Sequence, residues 1–197
     1  MYLLVGVIGY LIGCFSSAYV VGKMTNQIDI REHGSGNSGT TNALRVMGKK
    51  AAIVTFLCDV LKGVIAALIG RYILGDIGQV IGGLFAVIGH NWPMFLGFKG
   101  GKGVATSLGV LITINPLIAL ICVTIGLIVA LSTNYVSVGS LSFLLSFPII
   151  YYINNYKQMD EVKCYFLLSV VFFILGVIRH KENIKRLINK TENKFRK

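Results

Sequence analysis

Residues 116–153 read PLIALICVTIGLIVALSTNYVSVGSLSFLLSFPIIYYI and contain no Asp, Glu, Lys, Arg or His. A helix needs about 20 mostly apolar residues to cross the hydrocarbon core of a bilayer. This run is long enough for two spans, 116–132 and 136–153, separated by a short polar patch. Working outward, further apolar stretches lie at 2–22, 51–74, 77–90, 103–115 and 162–179. The pattern predicts an all-α integral membrane protein of about seven transmembrane helices, with short helices 3 and 4. Those two could be short spans or a re-entrant pair. Five spans is the fallback, and either choice leaves the later topology unchanged.

Composition agrees. The 197 residues are 54% hydrophobic and only 14% charged, with a mean hydropathy of +0.72. Soluble domains carry about a quarter charged residues. We expect one polytopic domain over 1–197, without internal repeats, linkers or low-complexity segments. Cys14, Cys58, Cys122 and Cys164 stand singly in apolar stretches and read as small helix hydrophobes. The N-terminus lacks a charged region before its apolar run, so it reads as a first span, not a signal peptide.

The net charge is +11. The basic residues lie in loops and the tail, which favours lipid headgroups and anionic substrates over nucleic acid. Seven crossings place the long polar segments 23–50, 89–103, 132–140 and the tail from Arg179 on one side. That side holds 15 Lys and Arg, against Arg71, Lys157 and Lys163 opposite. The positive-inside rule makes the rich side cytoplasmic and the N-terminus external.

Three polar motifs occupy this side. In the first, residues 34–39 match GxGxxG, but a dinucleotide site needs a strand before it, and an apolar helix stands there instead. Glycines still admit an anion close to the backbone. Thr40 or Thr41 could cap a short helix whose N–H groups face it. Thr41, Asn42 and Arg45 share a helix face, and Arg45 could fork onto a phosphate. The second motif, 89–106, is not a Walker A loop, since Leu96 and Gly103 stand where that motif needs glycine and Ser/Thr. It still flanks Lys102 with glycines at a helix start, and His90 closes the preceding helix. Trp92 and Phe95 read as interfacial anchors. The third motif comes in two pieces, 134–140 and 179–187, the latter with His180 and Asn183 on one face. Asp59 and Lys62, three apart within a span, read as an ion pair near the site.

Other chemistries find no support. The histidines are His33, His90 and His180, with no HExxH or carboxylate cluster, so no metal is expected. There is no GxSxG elbow. The HxxxxD acyltransferase motif fails, because residues 38, 95 and 185 are Ser, Phe and Lys. A transporter would place its charges at midplane between inverted repeats. A structural subunit would not need three polar motifs.

GSGNSGTTNALR (34–45), GHNWPMFLGFKGGKGVATSLG (89–109), YVSVGS (135–140) and IRHKENIKRL (178–187) resemble the bacterial acyl-phosphate:glycerol-3-phosphate acyltransferase family. The resemblance covers nearly the whole chain. It implies a small membrane enzyme that moves a fatty acyl group from acyl phosphate to the sn-1 hydroxyl of glycerol 3-phosphate, the first acylation step of phospholipid synthesis. It also implies the site. His90, Lys102, Ser35 and Asn183 would be catalytic. Gly36, Asn37, Thr41, Asn42, Arg45, Gly97, Gly100, Gly101, Gly103, Ser137, Ser140 and His180 would bind substrate. Glu192 would be structural. No cofactor is implied. The partners would be the two substrates, membrane lipids and an enzyme that forms acyl phosphate. The reaction would be direct attack by the glycerol hydroxyl, with either His90 or the donor's own phosphate as base.

Overall fold

Small residues set the packing of the first helices. The computed structural model describes residues 1–194, and among them every regular element is helical. Arg196 and Lys197, counted above in the basic tail, lie outside the described residues. The α-helices are α1 (Tyr2–Cys14), α2 (Ser17–Asn26), α3 (Thr40–Asn91), α4 (Val104–Ile114), α5 (Pro116–Thr133), α6 (Val136–Asn155), α7 (Met159–Arg179) and α8 (Lys181–Ile188). They group into two compact units, Met1–Thr113 and Ile114–Lys197.

In the first unit α3 is three limbs, 40–47, 49–73 and 76–91. Its backbone leaves helical geometry at Gly48 (φ 83°) and again at Leu74 and Gly75 (φ 61°). The left-handed values suit glycine, which has no Cβ to clash. The limbs 49–73 and 76–91 then pack through Gly70 against Gly78 and Ala66 against Gly82, so closely that a Cβ on either of the paired glycines, or on Gly82, would overlap the opposite backbone. α1 meets the 76–91 limb in the same way, through Gly9 and Gly13, and α4 meets the 49–73 limb through Gly63 and Gly109. Membrane helices associate through such small residues because lipid supplies no hydrophobic drive between them. In the second unit Gly126 of α5 meets Gly139 of α6, and Phe147 stacks on Tyr151 at 5.7 Å.

Among the described residues, five helical stretches are long and apolar enough to cross a membrane: Tyr2–Asn26, Thr40–Leu96, Pro116–Thr133, Val136–Gln158 and Val162–Arg179. Thr40–Leu96 folds back at Gly75 and so supplies two apolar limbs. At about 1.5 Å per residue the 76–91 limb rises about 24 Å and α4 about 17 Å. Both fall short of the roughly 30 Å hydrocarbon core, as expected for helices 3 and 4. Large apolar side chains face outward, Leu117, Leu120 and Ile128 of α5 among them, as a lipid-facing surface requires.

Two local expectations need correction. The apolar run at 2–22 is not one helix. It breaks at Phe15 and Ser16, both extended, and helix then continues to Asn26, so the first polar loop is shorter than 23–50. The helix at Thr40 is capped by neither threonine. Gly39 is its N-cap, and no side chain bonds there. Glycine serves because its small size leaves the first N–H groups accessible.

Candidate active site

The first glycine loop is held from below by one amide. Asn42, 1% exposed, donates from Nδ2 to the carbonyls of Ile30 (3.1 Å) and His33 (2.9 Å), and its Oδ1 accepts from the Ser35 N–H (2.9 Å). Gly34 and Gly36 have φ of 62° and 69°, and a Cβ on Gly34 would overlap Oδ1 of Asn42. Asn42 thus spends its amide on the loop itself. Ser35 and Arg45 are exposed, and Thr41 is half-buried.

The second loop is stitched to the first, which the separate motifs did not reveal. Asn37 Nδ2 donates to the Gly100 carbonyl at 3.5 Å, and Arg31 Nη1 to the Leu96 carbonyl at 2.8 Å. Arg31 is itself braced by Asp29 (2.6 Å) and lies 5.2 Å over the ring of Tyr19. Hydrogen bonds from Arg31 hold the Asp29 carboxyl below its ordinary range. Sequence reasoning counted Arg31 only as a basic residue. The signal for its role was Asp29 two positions earlier.

Within the second loop Gly97 and Phe98 have φ of 62° and 60°, and Gly103 has 80°. The Gly101 N–H donates to the His90 carbonyl at 3.0 Å. A Cβ on Gly101 would fall on His90 Nε2, and one on Gly103 would press on the Asn91 amide. Lys102, half-buried, lies between them, just before α4. Asn91 is fully buried, and neither its Oδ1 nor its Nδ2 has a hydrogen-bond partner among the described residues; the hydroxyls of Ser38, Thr40 and Thr106 are in the same condition. Native structures rarely leave buried polar atoms so.

Behind the loops is a buried polar cluster. Asp59, Lys62 and His90 are 1%, 4% and 6% exposed. Lys62 Nζ lies 2.9 Å from Asp59 Oδ1, as expected, and also 2.8 Å from His90 Nδ1 and 2.6 Å from the Phe15 carbonyl. Ser17 donates to Asp59 at 2.9 Å. The helix break at Phe15 therefore frees a carbonyl that the lysine takes. Neither Ser17 nor the break was foreseen.

In the second unit Glu192 gathers the third motif. Its Oε1 accepts from Ser137 (3.0 Å) and Asn183 (2.6 Å), and its Oε2 from Arg186 Nε (2.7 Å). His180 is 2% exposed, with Nδ1 2.7 Å from the Gly176 carbonyl. Ser140 is half-buried one turn beyond Ser137 on α6. Burial pushes the Glu192 carboxyl up, but the bonds from Asn183, Arg186 and Ser137 outweigh it and hold it below its ordinary range. A lowered carboxyl stabilises the fold at pH above its unfolded value and loses that contribution as pH falls through the folded one. The Asn183 side-chain amide resonance should therefore hold steady from neutral pH down to the ordinary carboxylate range and shift below it. Glu192→Ala, which removes the acceptor shared by the buried Ser137 and Asn183, should cost about 1–3 kcal/mol, read as a lower unfolding temperature in detergent.

Against this geometry, a family model described as glycerol-3-phosphate acyltransferase matches residues 3–190. The chain belongs to the glycerol-3-phosphate acyltransferase family. A glycerol-3-phosphate acyltransferase from Thermoanaerobacter pseudethanolicus is 49% identical over 192 residues, covering 98% of this chain and 94% of the relative. One from Clostridioides difficile is 44% identical, covering 98% and 95%. Among solved structures, PlsY (YgiH), an integral membrane glycerol 3-phosphate acyltransferase in its glycerol 3-phosphate form, is similar at TM-score 0.90 and 36% identity, covering 98% of this chain and 95% of that one. Its lysophosphatidic acid form matches at TM-score 0.89. This acyltransferase is thus an integral, multi-pass membrane enzyme.

Proposed function

We propose that this acyltransferase takes its acyl group from acyl phosphate and releases 1-acylglycerol 3-phosphate (lysophosphatidic acid) and inorganic phosphate. The sn-1 hydroxyl oxygen attacks the acyl carbonyl carbon, and the bond from that carbon to the phosphate oxygen breaks. The phosphate leaves with the electron pair, and the hydroxyl proton passes to a base. Acyl phosphate is an activated mixed anhydride, so no covalent enzyme intermediate is needed.

The observation that carries this reading is the stitched pair of glycine loops around Lys102. Glycine backbones, a lysine and buried polar atoms without partners among the described residues at Ser38, Thr40, Asn91 and Thr106 suit a phosphate-bearing substrate. In the proposal Ser35, Gly36, Asn37 and the 97–103 glycines hold the donor phosphate, and Lys102 offsets the charge that develops on it. Thr41 and Arg45 serve the glycerol phosphate, and Asn42 holds the loop beside them in shape. The acceptor and acylated product in the two PlsY structures support the chemistry. The basic loops support a cytoplasmic site in a bacterial plasma membrane, supplied by an enzyme that forms acyl phosphate.

The test presents purified chain with glycerol 3-phosphate and either acyl phosphate or acyl-CoA. Lysophosphatidic acid and phosphate should form from acyl phosphate alone. Turnover of acyl-CoA with none of acyl phosphate overturns the donor assignment.

A further inference from the structure

Resting on that reading, we propose that Lys62 is a positioning residue that locks His90 as an Nε2–H hydrogen-bond donor toward the 100–103 loop, which removes His90 as a proton acceptor.

The donor count around Lys62 carries the argument. An ammonium has three N–H donors and no acceptor. Lys62 Nζ has three neighbours in hydrogen-bond range: the Phe15 carbonyl at 2.6 Å, His90 Nδ1 at 2.8 Å and Asp59 Oδ1 at 2.9 Å. Each can only accept from it. Asp59 is the counterion, with Ser17 on the same oxygen. Asp59 Oδ1 lies 3.5 Å from His90 Nδ1, farther than the 2.8 Å from Lys62 Nζ to that nitrogen, so the lysine is the nearer partner of the ring. A ring that accepts at Nδ1 carries its proton on Nε2. Nε2 is the atom against which Gly101 lies, close enough that no side chain fits between them. The ring's one acceptor site is taken, and what it offers the loop beside Lys102 is a proton donor.

Asp59 and Lys62 are thereby more than a neutralised pair within the bilayer. Charges are costly there, and a structural role alone would be met by apolar residues. The precise neighbours of Nζ give the pair a task, which is to fix which ring nitrogen carries the proton.

The experiment is nitrogen-15 NMR of histidine-labelled full chain in detergent micelles, with His90 assigned by comparison with His90→Gln. The expected wild-type spectrum shows the neutral Nε2–H tautomer. Lys62→Met should shift the ring toward Nδ1–H or a mixture, and should lower kcat at least about tenfold with a smaller change in the KM for glycerol 3-phosphate. Lys62→Arg, which still donates, should retain the Nε2–H signature. A wild-type ring protonated at Nδ1, or an unchanged tautomer or kcat in Lys62→Met, overturns the proposal. The wild-type spectrum can do so alone, so a variant that fails to fold does not shelter it. The spectrum does not depend on the donor substrate. A wrong donor assignment appears in the transfer assay and leaves the tautomer as it is.

Discussion

Gly101→Ala is expected to cost this acyltransferase at least about a hundredfold in kcat, on the scale that small misplacements of reacting groups produce, with its helices intact. The added methyl falls on Nε2 of His90. Lys62 holds the ring at Nδ1, and the Gly101 N–H ties the loop to the His90 backbone carbonyl. The loop must move instead, and Lys102 moves with it. Circular dichroism and detergent unfolding should stay close to wild type, because the loop lies outside the helix contacts. Gly97→Ala is the contrast. Nothing lies within 4 Å of a Cβ there, and the cost is the left-handed backbone at φ 62°, about 1 kcal/mol. Equal losses in the two variants would show that space around His90 is not what matters.

Lys102→Met should lower kcat/KM by about a hundredfold to a thousandfold, the range seen when one preorganised charge-stabilising group is removed. The residue is half-buried between two glycines whose Cβ positions are both blocked, so its backbone is fixed before substrate arrives. Methionine keeps most of the stem and removes only the charge. Lys102→Arg should recover part of the loss, because charge is restored but the head is larger. The acyl-transfer assay measures both. Wild-type rates in Lys102→Met would remove the lysine from the chemistry.

Hydropathy made the helices legible, and local chemistry made several ends legible. Asn115 caps α5 by accepting from the Ile118 N–H at 3.0 Å, with Pro116 in the first turn, and Gly75 turns the chain in the gap between the apolar stretches 51–74 and 77–90. Glycines and Lys102 marked the loops. What stayed hidden depended on partners far away in sequence. The break at Phe15 is satisfied by Lys62, the stitch between loops by Arg31 on Leu96, and the clasp at Ser137 by Glu192. Each is a contact between a polar atom and a residue dozens of positions away, and no local pattern encodes it. Single polar residues in apolar runs, such as Ser17 and Asp59, and Asp29 beside Arg31 were the traces they left.

The broken first helix also bears on how the chain is made. The Phe15 carbonyl accepts from a lysine 47 residues later, so the N-terminal segment is synthesised before its donor exists. Asp59 and Lys62 sit three apart on one limb and can neutralise each other on insertion, without waiting for tertiary contacts. Biogenesis of the first unit thereby acquires an order. A limb able to pair its own charges can enter before the Phe15 carbonyl, 47 residues back, is in reach.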